Sequence, residues 1–317
     1  LEERLLEIEL WVSEGFPIIK ATKALEVQRS VYYYHQNNEI KVQEPPRRGR
    51  PIPGFSYNNS GDKICDEQIE EFLMEAIEGE EGIYGYRKLT NYLRDRHSLI
   101  INFKKGHRLC CKLGILLPNR QPSKYPRRLT RQHLITGPNQ LWQLDIKYGS
   151  IKESGRFFFL ACAIDVFDRC IVGYYYGSKC KAKDITKMLQ SAIMRRQIHF
   201  PKGEDEMRLI IRTDNGPQFV SNHFGEFCEL QKVYHERIPP SSPNYNAYIE
   251  SFFSVLEKEC YQRYEFECFD EAYYHIEQYM DFYNHRRYHG SLNYLAPFQF
   301  HELYKDKGYP LDMAVSL

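Results

Sequence analysis

The sequence predicts an α/β protein: a mixed five-stranded sheet flanked by helices, preceded by small all-helical units. Three observations point there. From about Gln140 onward, apolar residues alternate or run continuously over strand-length stretches. Amphipathic stretches of helical length separate the later strands, while before Gln140 the apolar spacing is helical. The order after Gln140 is three strands, helix, strand, helix, strand, helix. Strands joined by short turns pair antiparallel, and those separated by a helix pair parallel, so the sheet is mixed.

Taken in order, Leu1 to about Glu14 reads as a helix with Leu5, Ile8, Trp11 and Val12 on one face. Gly15 stops it, and Pro17 suits the first turn of a second helix through Leu25. A turn at Glu26-Val27 leads to a third helix, Gln28 to His35. Three short helices with a tight turn before the last describe a helix-turn-helix, although a plain helical bundle satisfies the same pattern and the turn carries Glu26 rather than Gly. Pro45, Pro46, Arg47, Arg48, Arg50, Pro51 and Pro53 then make a basic linker. A second helical unit follows, with helices over about Asp66–Glu78, from near Tyr86, and over Lys104–Leu113, ending at Gly114. The tether PNRQPSKYPRRLTRQH carries five Lys/Arg and no acid.

In the remainder, LWQLDIKYG places Trp142, Leu144, Ile146 and Tyr148 on one face and Gln143, Asp145 and Lys147 on the other. The run FFFLACAIDVF suits a strand buried on both faces, and IVGYYYG supplies a third. Next come a helix (about Ala182–Arg196), a strand (Leu209–Thr213), a helix (Ser221–Gln231), a strand (Tyr234–Ile238) and a helix (about Asn246–Gln262). This is the RNase H-like layout. The expected divisions are 1–40, a helix-turn-helix-like unit; 41–60, linker; 61–117, second helical unit; 118–137, tether; 138–300, the sheet-bearing core; and 301–317, a tail.

Composition narrows the function. With 317 residues, 42% hydrophobic and 27% charged, the chain suits a soluble globular protein of one large domain and one or two small ones. The longest apolar stretch, the eight residues Phe157–Ile164, is too short to span a bilayer. The opening LEERLLEIEL is no signal peptide. A cytoplasmic protein with no membrane partner is expected. The nine cysteines include no CxxC and predict reduced thiols rather than a zinc module. Because the first residue is Leu, a further N-terminal segment is expected in the natural product. The net charge of +1 hides a division: Asp62–Glu81 holds nine acids and one Lys, whereas Gly82–His133 holds thirteen Lys/Arg and one acid, a net of +12. A field of that sign predicts a polyanionic partner.

Three acids stand out by placement. Asp145 lies mid-strand on the face opposite the apolar one, Asp214 ends a strand before the turn Asn215-Gly216-Pro217, and Glu250 borders the apolar face Ile249, Phe252, Phe253 and Leu256 of a helix. Ligand sites in open α/β sheets favour the carboxyl ends of strands. An Asp before a Gly turn ordinarily caps structure, so each acid means little alone. Clustered carboxylates repel, and hard divalent cations such as Mg²⁺ remove that cost while keeping positions for phosphate oxygens.

The stretches LWQLDIKYG, DVFDR, IIRTDNGPQFVSN, ERIPPSSPNYNAYIESFF and YNHRRYHGSLNYLAP occur in an order that resembles transposases of the DDE superfamily, which includes retroviral integrases. Within it the chain is similar to bacterial insertion-sequence family three; GIYGYRKLTNYLRDR and HRLCCKLGILLP resemble the helical segment before the catalytic core. The resemblance covers roughly Gly82–Pro297. It implies a transposase or integrase, with Asp145, Asp214 and Glu250 as the catalytic acids that hold Mg²⁺ or Mn²⁺, as two ions. It also implies cleavage at element ends and strand transfer by the freed 3′-OH, on double-stranded DNA, by a homo-oligomer that brings two ends together. DNA contacts are expected from Asn215, Gly216, Gln218, Asn246, Arg287, His289, Arg87, Lys88, Arg127, Arg128 and Arg131. The loop PNYNA departs from the family's Gly-Asn-x-x-Asp-Asn-Ala, and the zinc module of retroviral integrases is missing, which favours the bacterial branch. Two other readings stay open, a structure-selective nuclease of this fold and a catalytically silent DNA-binding repressor.

Other residues read as structural. His285 and His289 have metal-pair spacing but no HExxH context. Asp168-Arg169 reads as an ion pair at a strand end, Tyr32–Tyr34 as core and surface tyrosines, and Lys179, Lys181 and Lys183 as a solvated loop or phosphate contacts.

Overall fold

The run Phe157–Asp165 is buried along most of its length and organises the larger of two compact units. The computed structural model of the chain describes residues 1–39, 53–118, 133–198, 209–239, 243–307 and 315–316. The units are Leu1–Phe55 and Ser56–Leu317.

In the first unit, α1 (Glu2–Ser13), α2 (Ile18–Ala24) and α3 (Arg29–Glu39) enclose Leu5, Ile8, Ala21, Val27 and Tyr32. Glu26, in the turn before α3, takes a left-handed φ of 54°, the conformation for which Gly is the cheaper residue. Tyr32 is core, whereas Tyr33 and Tyr34 are exposed.

The second unit begins with a three-stranded sheet the sequence did not announce. It consists of β1 (Phe55–Asn58), β2 (Lys63–Cys65) and β3 (Leu99–Ile100), in the order β2-β1-β3. Strands of two to four residues leave no period to read. Around it lie α4 (Asp66–Glu78), α5 (Tyr86–His97) and α6 (Phe103–Lys112). The acidic α4 faces the basic α6. Asp66 pairs with Lys105 and with Arg108 (2.7 Å), and Glu70 with Lys112 (2.7 Å). Part of the charge division therefore cancels inside this unit.

The main sheet contains β5 (Leu141–Ser150), β6 (Phe157–Asp165), β7 (Ile171–Gly177), β8 (Ile210–Thr213) and β9 (Tyr234–Arg237) in the order β7-β6-β5-β8-β9. β5, β6 and β7 pair antiparallel; β8 and β9 add in parallel. One face packs Trp142, Leu144, Ala161 and Val172 against α7 (Ala182–Arg195) and α8 (Asn222–Leu230). The opposite face packs Phe158, Leu160, Cys162 and Ile164 against α9 (Ala247–Leu256) and α10 (Phe269–His285). Leu73, Leu89, Leu93 and Leu109 of the helices around β1–β3 belong to that same core. Segments 61–117 and 138–300, separate in the sequence reading, thus share one apolar interior. The long helix expected through Gln262 turns π-helical at Glu257–Tyr261. After α10 come α11 (Pro297–Lys307) and a two-stranded ladder of β4 (Leu134–Ile135) with β10 (Val315–Ser316). Among the described residues no helix is long and apolar enough to cross a membrane.

At the end of β6 the expected Asp168–Arg169 pair does not form. Asp168, fully buried, is held by Arg196 (2.7 Å) and His301 (2.8 Å), and burial is outweighed by the Arg196 charge, so its carboxyl stays below the usual range. Arg169 has a φ of 63° and lays its guanidinium 3.8 Å from the centre of the Tyr248 ring. The neighbouring Asp165 accepts from Trp142 Nε1 (3.1 Å) and the Phe167 amide (2.8 Å). Removing one partner of a buried pair strands the other charge. Arg196→Ala is therefore expected to lower stability by about 3–5 kcal/mol in denaturant titrations; a loss near zero would show that Asp168 is not held by this arginine.

Candidate active site

The register of β5 with β8 runs Leu141 to Ile210, Trp142 to Ile211 and Gln143 to Arg212. The ladder stops there; Asp145 lies two residues further along β5, and Asp214 two residues beyond Arg212, just past the end of β8. The two acids are remote in sequence, yet the Asp214 charge reaches Asp145. The third arrives on α9, which packs on the Asp145 face of β5 and β6 and carries Glu250 in its first turn. A helix N-terminus favours a negative side chain there.

The face bearing Asp145 is not open, as alternation alone implied, because α9 covers it. Gln143 is fully buried and Asp145 half-buried. Burial first, and then the charges of Asp214 and Glu250, push the Asp145 carboxyl up to about 6, against the Ile146 amide it accepts at 2.7 Å and the nearby Lys147. The Asp214 carboxylate accepts the Gly216 amide at 2.9 Å, which fixes its direction. Glu250 is exposed and lines an open groove with Lys147, Phe253, Glu257 and Lys258. Lys147 pairs with Glu257 at 2.8 Å.

Among the described residues no three His, Cys, Asp or Glu side chains form a ready-made metal cage. The charges of Asp214 and Glu250 nonetheless both act on Asp145, and the donor set fits a hard cation: carboxylate oxygens only, with a repulsion that positive charge relieves.

Other expected site residues fall into three groups. Asn215 is exposed, with its amide on the Ile238 carbonyl (2.8 Å), and Gln218 is half-buried, donating to the Cys180 carbonyl (3.3 Å); with Gly216 they shape the loop behind Asp214. Arg87 is exposed beside the Tyr86 and Phe103 rings. Asn246, Lys88, Arg287 and His289 turn inward. Asn246 is 2% exposed and Arg287 8% exposed, its guanidinium held at 2.7 and 2.6 Å by Glu259. Lys88 lies 4.9 Å from the Tyr84 ring centre; burial, then the Arg287 charge, pushes its ammonium down to about 7. These four, expected at DNA, pack against groups of the unit itself. The helix ends at His285, so His285 and His289 share no helical face; His285 pairs with Asp281 (2.9 Å). Arg127, Arg128 and Arg131 lie outside the described residues. Two residues the sequence reading passed over, Gln143 and Arg212, are both buried, each two positions before an acid.

Comparison with known proteins adds an independent line. Two profiles described as "Integrase core domain" match residues 135–243 and 231–297. A profile described as "HTH-like domain" matches residues 65–123, the second helical segment and not the first. The chain is 24% identical over 295 residues to the putative transposase InsK for insertion sequence element IS150 of Escherichia coli K12, covering 90% of this chain and 93% of that protein. It is 29% identical over 251 residues to the transposase for insertion sequence element IS904 of Lactococcus lactis, covering 74% of this chain and 95% of the other. The HTLV-2 integrase catalytic core domain, solved in complex with magnesium, superposes with a TM-score of 0.41 at 20% identity, covering 53% of this chain and 99% of that one.

The raised Asp145 pKa has a consequence for stability. An unfolded Asp ionises near 3.8, whereas in the fold this group keeps its proton to about 6. Between those values the folded state binds more protons, so stability falls as pH rises from about 4 to 6. The loss, on the order of 3 kcal/mol, persists above that window. Asp145→Asn removes it: in metal-free buffer above pH 6 the variant is expected to melt higher than the parent, and the two to converge below about pH 4. Equal Tm at neutral pH would show that the carboxyl carries no such penalty.

Proposed function

The chain belongs to the integrase-core transposases of bacterial insertion sequences, of the family-three type, and from that premise we propose that Asp145, Asp214 and Glu250 are its catalytic centre and hold Mg²⁺ or Mn²⁺, as two ions. The observation that carries this assignment is that Asp145 on β5 lies within reach of the charges of Asp214, just past the end of β8, and Glu250, in the first turn of α9. Its activity is DNA transposition. A divalent cation bound among the carboxylates supplies positive charge for the attacking and leaving oxygens of an in-line displacement. The chain's own contribution is to fix the carboxylates and to orient the phosphodiester against them.

The reaction proceeds in two displacements. Water attacks phosphorus at the element end; its oxygen forms the new P–O bond, the bond to the 3′-oxygen breaks, and that oxygen leaves with a proton as a free 3′-OH. This hydroxyl then attacks a phosphodiester of target DNA, forming one P–O bond and releasing a target 3′-OH. No covalent bond to the protein is made. Double-stranded DNA is the substrate at both steps. The chain acts as a homo-oligomer that brings two ends together, and it works in the cytoplasm at the nucleoid. Support for DNA engagement comes from the HTH-like segment and from the basic tether that joins it to the core.

Asp145→Ala, Asp214→Ala and Glu250→Ala are each expected to lower cleavage and joining by at least about 10²–10³-fold while leaving end-DNA affinity within twofold. The test is strand transfer from a pre-cleaved labelled end with Mg²⁺ or Mn²⁺, the products being sequenced. Near-parental joining by Glu250→Ala would refute the assignment. Cutting without joining by the parent protein would turn the reading toward a nuclease.

A further inference from the structure

Beneath the three acids lies a second row of polar groups, one strand-step lower. Gln143 precedes Asp145 by two residues on β5, and Arg212 precedes Asp214 by two on β8. The two are direct register partners. Gln143 is fully buried and Arg212 is 1% exposed. Both reach the same atom, the carbonyl oxygen of Tyr245, with Gln143 Nε2 donating at 2.9 Å and Arg212 Nη1 at 3.0 Å. Tyr245 lies five residues before Glu250, on the short turn Pro243–Asn246 that leads into α9.

The other end of the Gln143 amide completes the connection. Its Oε1 accepts the backbone N–H groups of Tyr248 (2.9 Å) and Ile249 (3.1 Å). These are among the first amides of α9, which have no partner within the helix. A helix ordinarily satisfies them with the side chain at its own N-cap, but the N-cap here, Asn246, makes no such bond. The cap comes from the sheet. One buried side chain thus ties the strand of Asp145 to the backbone immediately before Glu250. Arg212 is fixed in turn: its Nε donates to Glu236 on β9 at 2.7 Å, and Glu236 also meets His133 at 3.1 Å.

We propose that Gln143 and Arg212 are positioning residues for the acid centre, setting Glu250 in register with Asp145 and Asp214 so that the three carboxylates close on a divalent cation. The inference rests on the catalytic assignment above. Neither residue touches substrate. Gln143 has the stricter role, because it alone both accepts from α9 and donates to the turn before it. Gln143→Leu keeps the volume and removes all three bonds; Gln143→Glu keeps the two acceptor bonds and loses the donor. Arg212→Lys keeps the charge but cannot reach Tyr245 and Glu236 with the same fork.

The experiment measures Mn²⁺ binding by isothermal titration, end-DNA affinity, and strand transfer against Mg²⁺ concentration, using the full chain. Groups that orient metal-holding side chains cost about 10–100-fold in metal affinity when removed. Gln143→Leu is expected to weaken Mn²⁺ binding by that factor, with end-DNA affinity unchanged and activity partly restored at high Mg²⁺. Gln143→Glu and Arg212→Lys should fall between Gln143→Leu and the parent. Should Gln143→Leu lose its cooperative melting transition, the two milder variants decide. A Mn²⁺ affinity equal to the parent's in the folded variants overturns the proposal. Asp145→Asn is the control: if it too binds Mn²⁺ like the parent, the catalytic assignment fails, and not merely the clamp.

Discussion

Like charges brought together in a half-buried place repel, and the larger unit of this protein is arranged around holding that repulsion in position. Asp145 and Asp214 each follow by two residues a paired position of adjacent parallel strands, Gln143 and Arg212. Glu250 comes from a different layer, on α9, whose Tyr248 and Ile249 amides are bonded by Gln143 of β5. The energy that holds the acids close is therefore not local to them. It comes from the burial of Phe158, Leu160 and Cys162 against Ile249, Phe252 and Leu256, which seats α9 on the sheet.

The same economy appears in the charges around the site. The sequence carries a long basic stretch that reads as a field for a polyanion. In the fold, Lys105, Arg108 and Lys112 answer the acids of α4, and Arg287 answers Glu259. These pairs join elements of the unit: α4 with α6, and Arg287 with the π-helical turn that carries Glu259. Tyr84, just before α5, stacks near Lys88 and accepts the Tyr288 amide from the segment after α10, so the helical segment matched by the HTH-like profile and the integrase core share polar as well as apolar contacts. Other basic groups, such as Arg87, stay exposed.

Buried amides and guanidinium groups give this interior its direction. An apolar core alone fills space but tolerates sliding, whereas Gln143 and Arg212 meet named backbone atoms at hydrogen-bonding distance and fail if the helix shifts by one position. Trp142 with Asp165, and Asp168 with Arg196, do the same at the other end of the sheet. Each such pair specifies register where packing would permit several.

What the sequence determined by itself is what repeats or alternates. The order of strands and helices after Gln140 and the sense of their pairing were readable because period and motif are local properties of the chain. Long apolar periods such as Phe157–Asp165 gave their elements directly. Tertiary structure alone decided which polar residues face water. Gln143, Arg212, Arg287 and Asn246 are polar residues of a kind ordinarily found at the surface, and each is buried here with a hydrogen bond to a partner distant in sequence. The partner of Asp168 was hidden for the same reason, since Arg196 and His301 lie far along the chain while the adjacent Arg169 turns to Tyr248. Hydrogen bonds and ion pairs are made across the fold, and no local pattern in the chain records them.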